Sequence, residues 1–300
     1  NFYSGCENNM VVEVDLHLHT TFSDGNLTPT ELVDLCAEQG LKTISITDHD
    51  STEGIEEAIK ASEKYEDFNI IAGIELSADQ PGIEVHILGY FLDYKTNEFQ
   101  EILAEFRDGR KVRALGIVQK LNDLGIQISW NQVLEIADGA AIGRPHIAQA
   151  MVENGYIEYP KQAFDKYLGR NGLAYVSRSR LTPDDAVKLI LDHSGIPVLA
   201  HPTYLAQRDT GGEDWVVIKQ NIRELKKVGL VGIEVFYNDY THEQIHELEL
   251  IASEFELIKC GGSDYHANGN PGEILPGFIG PSKDAVLEII QVKNLNIRNT

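Results

Sequence analysis

The stretch DLHLHTTFSDG, Asp15 to Gly25, decides how this chain is read. It closes VVEVDLHLHT, which reads as a β-strand. Side chains two apart in a strand point to the same face, so His17 and His19 converge. Each can offer one imidazole nitrogen to the same cation, and Asp24 follows five residues later. Alone, a His-x-His pair says little. Its weight comes from the other strand ends.

Working outward, the second strand, LKTISITDHD, ends in Asp48-His49-Asp50. The third, NIIAGIELSAD, carries Glu75, and the fourth, EVHILGYFLD, carries His86. IPVLAHP ends in Ala200-His201-Pro202, LVGIEVFY follows, and LIKCGGSDYH ends in Asp264-Tyr265-His266. In β/α barrels the carboxyl ends of the strands form the catalytic face. Histidines 17, 19, 49, 86, 201 and 266 with Asp24, Glu75 and Asp264 are therefore the candidate metal ligands. This set is too large for one tetrahedral zinc and suits two or three divalent ions. Mixed imidazole and carboxylate donors without cysteine fit manganese first, with zinc or iron as alternatives. Such ions held by so few carboxylates leave a cationic pocket, which suits a phosphate.

Helical patterns separate the strands. TPTELVDLCAEQG reads as a helix capped by Thr28, with Pro29 at its first position and Gly40 past its end. TEGIEEAIKASEKY follows the second strand, and the βαβαβ order implies parallel strands. From Asn97 to about Arg170 the rhythm becomes helical throughout, beginning with EFQEILAEFRDGRKVRALGIVQKLNDLG. The expected organisation is a tail over 1–10, a barrel domain over 11–96 and 171–300, and an inserted helical subdomain over 97–170. The seven strand-like segments imply a barrel or barrel-like sheet.

Composition narrows the function. The chain has 300 residues, 42% of them hydrophobic, and a net charge of 25 − 47 = −22. That charge disfavours a long nucleic-acid groove without excluding a small phosphate ligand. No run of about 18 apolar residues implies a membrane span, and no signal peptide is visible. Cys6, Cys36 and Cys260 form no CxxC pair, so the expected compartment is the reducing cytoplasm. No stable protein partner is implied.

Taken together, HLHTTFSDG, TDHD, GIELS, EVHILGY, AHP and GSDYH resemble, in order, the motifs of the PHP (polymerase and histidinol phosphatase) superfamily. Gly143-Arg144-Pro145-His146-Ile147-Ala148 and Ala174-Tyr175-Val176 resemble its stand-alone bacterial phosphoesterases with a helical insertion. The resemblance implies a distorted (β/α)7 barrel with a trinuclear site. His17 and His19 would hold one metal with Glu75 and Asp264. Glu75 would bridge to a second held by His86 and His201, and Asp24, His49 and His266 would hold the third. A metal-bridging hydroxide would attack phosphorus, with Asp264, His266, His201 and Glu75 as the catalytic set.

The implied substrate is a small nucleotide, such as a nucleoside 3′,5′-bisphosphate cut to the 5′-monophosphate. Trimming of short RNA from its 5′ end is the alternative, and histidinol-phosphate hydrolysis a weaker one. A non-catalytic metal-binding module would have lost ligands, and none is missing. An amidohydrolase would want a strand-end lysine, and none stands in the metal motifs.

Around the metals, Arg144 is the first choice for phosphate, since a guanidinium grips its oxygens bidentately at a helix start. His146, Arg178 and Arg180 are further substrate candidates. Asp48 is expected to orient His49 or another ligand. Glu234 and His242 flank a strand end and are candidates for contact with the site. His193 and His246 read as satisfied or solvated mid-helix histidines, and Tyr265 should point away from the ligands on either side of it.

Overall fold

The computed structural model describes residues 12–80, 83–177, 181–206 and 213–299. The seven strand segments are strands: β1 (Val14–Leu18), β2 (Thr43–Ile46), β3 (Asn69–Gln80), β4 (Ile83–Tyr90), β5 (Ile196–Leu199), β6 (Gly232–Tyr237) and β7 (Ile258–Gly262). They form one sheet in chain order. Beyond β7, the Asp264 amide donates to His17 O at 2.9 Å and the His19 amide to Tyr265 O at 3.1 Å. These bonds bring the chain back onto β1 and make the sheet a nearly closed barrel. A close approach makes this possible. A Cβ on Gly262 would lie 2.4 Å from the His17 nitrogen, so only glycine passes without displacing β1.

Parallel pairing joins β1 to β3 and β5 to β7, but β4 runs antiparallel to both its neighbours. The physical reason lies in the connection. Only Pro81 and Gly82 separate β3 from β4, and a parallel return needs a crossover of a dozen or more residues.

Helices α1 (Pro29–Glu38) and α2 (Ile55–Ser62) cover the first strands. Thr28 caps α1 as expected, in a capping box with Glu31, and Gly40 follows at φ 88°. Between β4 and β5 come α3 (Asn97–Asp123), α4 (Trp130–Ala137), α5 (Arg144–Glu153), α6 (Pro160–Ala163), a π-helical turn (Phe164–Leu168) and α7 (Pro183–Asp192). After β5 follow a 3-10 turn (Pro202–Ala206), α8 (Trp215–Val228), α9 (His242–Glu254) and α10 (Lys283–Asn299).

Helix α3 serves two cores. Its first turns pack Phe99 and Leu103 against barrel residues such as Ile74 and Ile190. Its last turns pack Ile117 and Leu121 with Val133, Ile147 and Met151 of the helical segment. One continuous helix of about 40 Å therefore carries the segment out over the barrel mouth. Among the described residues no helix is long and apolar enough to cross a membrane. Cys36 and Cys260 are buried and unpaired, and Cys6 lies outside the described residues.

Candidate metal centre

Asp15 and His17 of β1, and His19 just past its end, face the barrel interior, and all three are buried. Leu18 packs outward against Leu32 and Val33 of α1. The hub they meet is Glu75 from the middle of β3. Its Oε2 lies 3.4 Å from His17 Nε2, 3.3 Å from His19 Nε2 and 2.9 Å from His49 Nδ1. Its Oε1 lies 2.8 Å from His86 Nδ1 and 3.3 Å from His201 Nε2. Asp264 Oδ1 sits 3.2 Å from His17 Nε2 and 3.0 Å from His19 Nε2. Asp24 completes the set, with Oδ1 3.2 Å from His266 Nε2 and Oδ2 3.6 Å from His49 Nε2. All nine candidate ligands thus converge on one floor.

The cluster divides into three overlapping groups whose donor atoms lie within 4.8 Å of one another: His19, Asp24, His49 and His266; His17, His19, Glu75 and Asp264; His49, Glu75 and His86. Polar atoms this close ordinarily hydrogen-bond. Here the Nε2 atoms of His17 and His19, His49 Nδ1, both His86 nitrogens, Glu75 Oε2, Asp24 Oδ1 and Asp264 Oδ1 are buried without a hydrogen-bond partner. Orphaned buried groups cost about 1–3 kcal/mol each, so a cluster of them implies a missing common partner. They are aimed at shared points between them, as a divalent cation requires. The residues fit metal ions.

Neighbouring groups set the tautomers. His17 Nδ1 lies 2.9 Å from Glu234 Oε1 and His266 Nδ1 lies 2.8 Å from the Asp264 carbonyl. Both acceptors require Nδ1–H, which leaves each Nε2 lone pair facing the centre. Glu234 also accepts the His201 amide at 2.8 Å through Oε2, so one buried carboxylate fixes two strand ends. Burial works against ionised carboxylates here, but the imidazoles around Asp24, Glu75 and Asp264 outweigh it and hold all three well below the usual range. Burial pushes His49 down to about 4. Glu75 overcomes burial and raises His86 to about 9, and Asp24 raises His266 to about 10. Cations binding there displace those protons.

His201 at φ 28° and Asp264 at φ 52° occupy backbone space that non-glycine residues seldom use. Such strain is common at functional sites.

The remaining candidates meet their expectations in part. Asp48 supports ligands other than its neighbour His49. It accepts from the Thr20 amide at 2.8 Å and from the Thr20 and Ser23 hydroxyls at 2.6 Å, and so braces the loop that presents His19 and Asp24. His146 is buried, and its Nδ1 accepts the Gly143 amide at 2.9 Å, which ties the start of α5 in place. His242 is exposed on the first turn of α9, capped by Thr241. His193 is satisfied by Leu189 O, His246 is exposed, and Tyr265 packs outward beside Leu18. Arg178 and Arg180 lie outside the described residues.

Above the floor opens a cavity of about 860 Å³, within the size of small-molecule sites. One wall is cationic: Arg110 and Arg113 from α3, Arg144 from α5, Lys161 from α6 and Arg170. Arg144 and Arg113 share Glu84, at 2.7 and 3.4 Å, and Arg110 is paired with Asp50. Phe164, Ile83 and Ile117 add apolar lining, and Tyr204 and Asn238 also line the cavity. Sequence reasoning missed Arg110 and Arg113. With Arg107 they fall at every third place of α3, a stripe that also suits a solvated face.

Comparison with known proteins agrees with this geometry. The PHP domain profile matches residues 15–168. A 5′-3′ exoribonuclease of Haemophilus influenzae is 34% identical over 257 residues, covering 86% of this chain and 91% of its own. A 3′,5′-nucleoside bisphosphate phosphatase of Chromobacterium violaceum is 32% identical over 263 residues, covering 87% and 90%. A Bifidobacterium adolescentis structure described as a metal-dependent phosphoesterase superposes with a TM-score of 0.83 at 30% identity, covering 93% of this chain and 95% of its own. A barrel whose strand ends gather histidines and carboxylates on one floor, matched along nearly its whole length by these relatives, belongs to the PHP family of metal-dependent phosphoesterases.

Proposed function

We propose that this enzyme removes a phosphate from a small nucleotide, a nucleoside 3′,5′-bisphosphate being cut to the 5′-monophosphate. One observation carries the reading: the histidine and carboxylate floor and four arginines, Arg110, Arg113, Arg144 and Arg170, line one cavity of nucleotide size. A single phosphate needs only the floor. The cationic wall supports a second, unreacted phosphate on the same substrate. The bisphosphate named for the C. violaceum relative has both.

In this reading His17, His19, Asp24, His49, Glu75, His86, His201, Asp264 and His266 hold two or three divalent ions, manganese by preference. Bound there, the ions supply Lewis acidity to the phosphoryl oxygens and lower the pKa of a water. The protein does the rest. Glu234 keeps His17 and His201 in register. Arg144 and Arg113 turn from Glu84 to the distal phosphate, which the Arg144 fork meets bidentately. His146 positions that fork through Gly143. The helices over 97–170 act as an inserted subdomain that forms the substrate wall. Buried, unpaired Cys36 and Cys260 suit a reducing cytoplasm.

The test is phosphate release by the Mn²⁺-loaded protein from adenosine 3′,5′-bisphosphate, beside histidinol phosphate and a short 5′-phosphorylated RNA. Fast release leaving AMP is expected. Slow release with efficient shortening of the RNA overturns it in favour of the activity named for the H. influenzae relative.

Arg144→Ala is expected to raise KM for the bisphosphate by about tenfold or more, the loss of a charged hydrogen-bonded pair. KM for an aryl phosphate, which has no second phosphate, should change little. Steady-state kinetics on both substrates decide it, and equal changes would remove Arg144 from the distal phosphate.

A further inference from the structure

Asp264 is held from two sides. Its Oδ1 faces His17 and His19 at 3.2 and 3.0 Å. Its Oδ2 accepts a hydrogen bond of 2.8 Å from the hydroxyl of Tyr237, the last residue of β6. An ionised carboxylate only accepts, so the Tyr237 proton is committed to Asp264. The Tyr204 hydroxyl lies 3.3 Å from that of Tyr237. Since Tyr237 has already given its proton, Tyr204 must be the donor between them. The order runs Tyr204 to Tyr237 to Asp264, with the free lone pair of Tyr204 left at the cavity wall.

Tyr237 reaches the site through an irregularity. In a regular strand, residues three apart point to opposite faces. Glu234 and Tyr237 are three apart, yet both serve the centre, through His17 and Asp264. The register explains this. Glu234 pairs with Cys260 and Phe236 with Gly261, so β6 carries one extra residue between them. This is a β-bulge, and bulges re-aim side chains beside active sites. Phe236 turns outward into the helix-facing core, and Tyr237 turns in. Ring contacts then fix it, with His201 at 5.6 Å, Tyr204 at 5.9 Å and Tyr240 at 5.1 Å between centroids.

We infer that Tyr237, backed by Tyr204, is a positioning residue: its hydroxyl occupies Asp264 Oδ2 and so commits Oδ1 to the cation shared with His17 and His19. This rests on Asp264 being a metal ligand, as proposed above. Without the hydroxyl, the carboxylate is free to rotate and to spend either oxygen elsewhere.

The test is Mn²⁺ titration by calorimetry, with thermal denaturation of the same samples. Tyr237→Phe keeps the ring and its packing. It is expected to weaken Mn²⁺ binding about tenfold or more, the usual cost of losing a group that orients a ligand, with little change in the metal-free melting temperature. In an Asp264→Asn background the same change should cost almost nothing, since there is no carboxylate to hold. Equal losses in both backgrounds, or unchanged binding in Tyr237→Phe, overturn the inference. Tyr204→Phe, which spares the Tyr237–Asp264 bond, should give a smaller loss in the same direction and serves if Tyr237→Phe does not fold. No loss there removes Tyr204 from the relay. A wild-type protein that binds no Mn²⁺ fails the metal reading itself, a different outcome from a variant that binds as wild type does.

Discussion

Glu75→Gln is expected to lower kcat/KM for phosphate release by about a thousandfold, with the fold intact. Among the described residues Glu75 is the carboxylate that faces the most candidate ligands: His17, His19 and His49 face one oxygen, and His86 and His201 the other. Glutamine matches its shape, so packing inside the barrel is kept. The charge is lost, and the amide nitrogen that replaces one oxygen can donate to an imidazole lone pair but cannot ligate a cation. Metal-ion chemistry is worth several kcal/mol to the reaction, and each 1.36 kcal/mol is tenfold in rate. Metal content, circular dichroism and kcat/KM would be measured together. Activity within tenfold of wild type, with metal still bound, would show that Glu75 is not the hub.

The second large effect concerns closure of the barrel. Gly262→Ala places a Cβ 2.4 Å from the His17 nitrogen and 2.6 Å from the His17 Cβ. It also meets Asp15 Oδ1, which already receives the Ser263 amide at 3.0 Å. These are backbone and short-stemmed atoms that cannot swing aside, so β1 or β7 must move. Overpacking of this kind costs about 3 kcal/mol, or roughly 6 °C or more in melting temperature. His17 moves with β1, so Mn²⁺ affinity falls too. Gly109→Ala is the control. It lies within α3 with nothing near its added Cβ, and it should stabilise by about 1 kcal/mol. A Gly262→Ala protein as stable as wild type, with equal metal affinity, would mean that β7 does not need this approach.

The centre itself was legible because its residues obey the strand period and the barrel rule. His17 and His19 alternate with buried leucines, and His49, His201, Asp264 and His266 stand past strand ends, whereas Glu75 and His86 sit inside β3 and β4. Helix α1 was legible through Thr28, Pro29 and Gly40. What supports the centre was harder to read. Asp48 is expected to orient His49 or another ligand, but the sequence does not say which: its side chain reaches back in the chain to Thr20 and Ser23, beside His19 and Asp24. Such bonds depend on which loops meet and leave no trace in spacing. Glu84, Arg110 and Arg113 have the look of ordinary surface charge until α3 is laid across the barrel mouth. Tyr237 was hidden by parity, because strict alternation along GIEVFY puts it opposite Glu234. The direction of β4 escaped the strand-order reading, which implies parallel strands, although the two residues Pro81 and Gly82 cannot carry a parallel crossover.

The extra residue in β6 also bears on how this enzyme can change over generations. Substitutions at Val235 or Phe236 alter packing and leave both neighbours where they are. Loss of one residue between Glu234 and Tyr237 would leave them two apart, where strict alternation still points both into the barrel. Descendants of this protein can therefore vary the letters of that segment, and even shed the extra residue, while both side chains keep serving the centre.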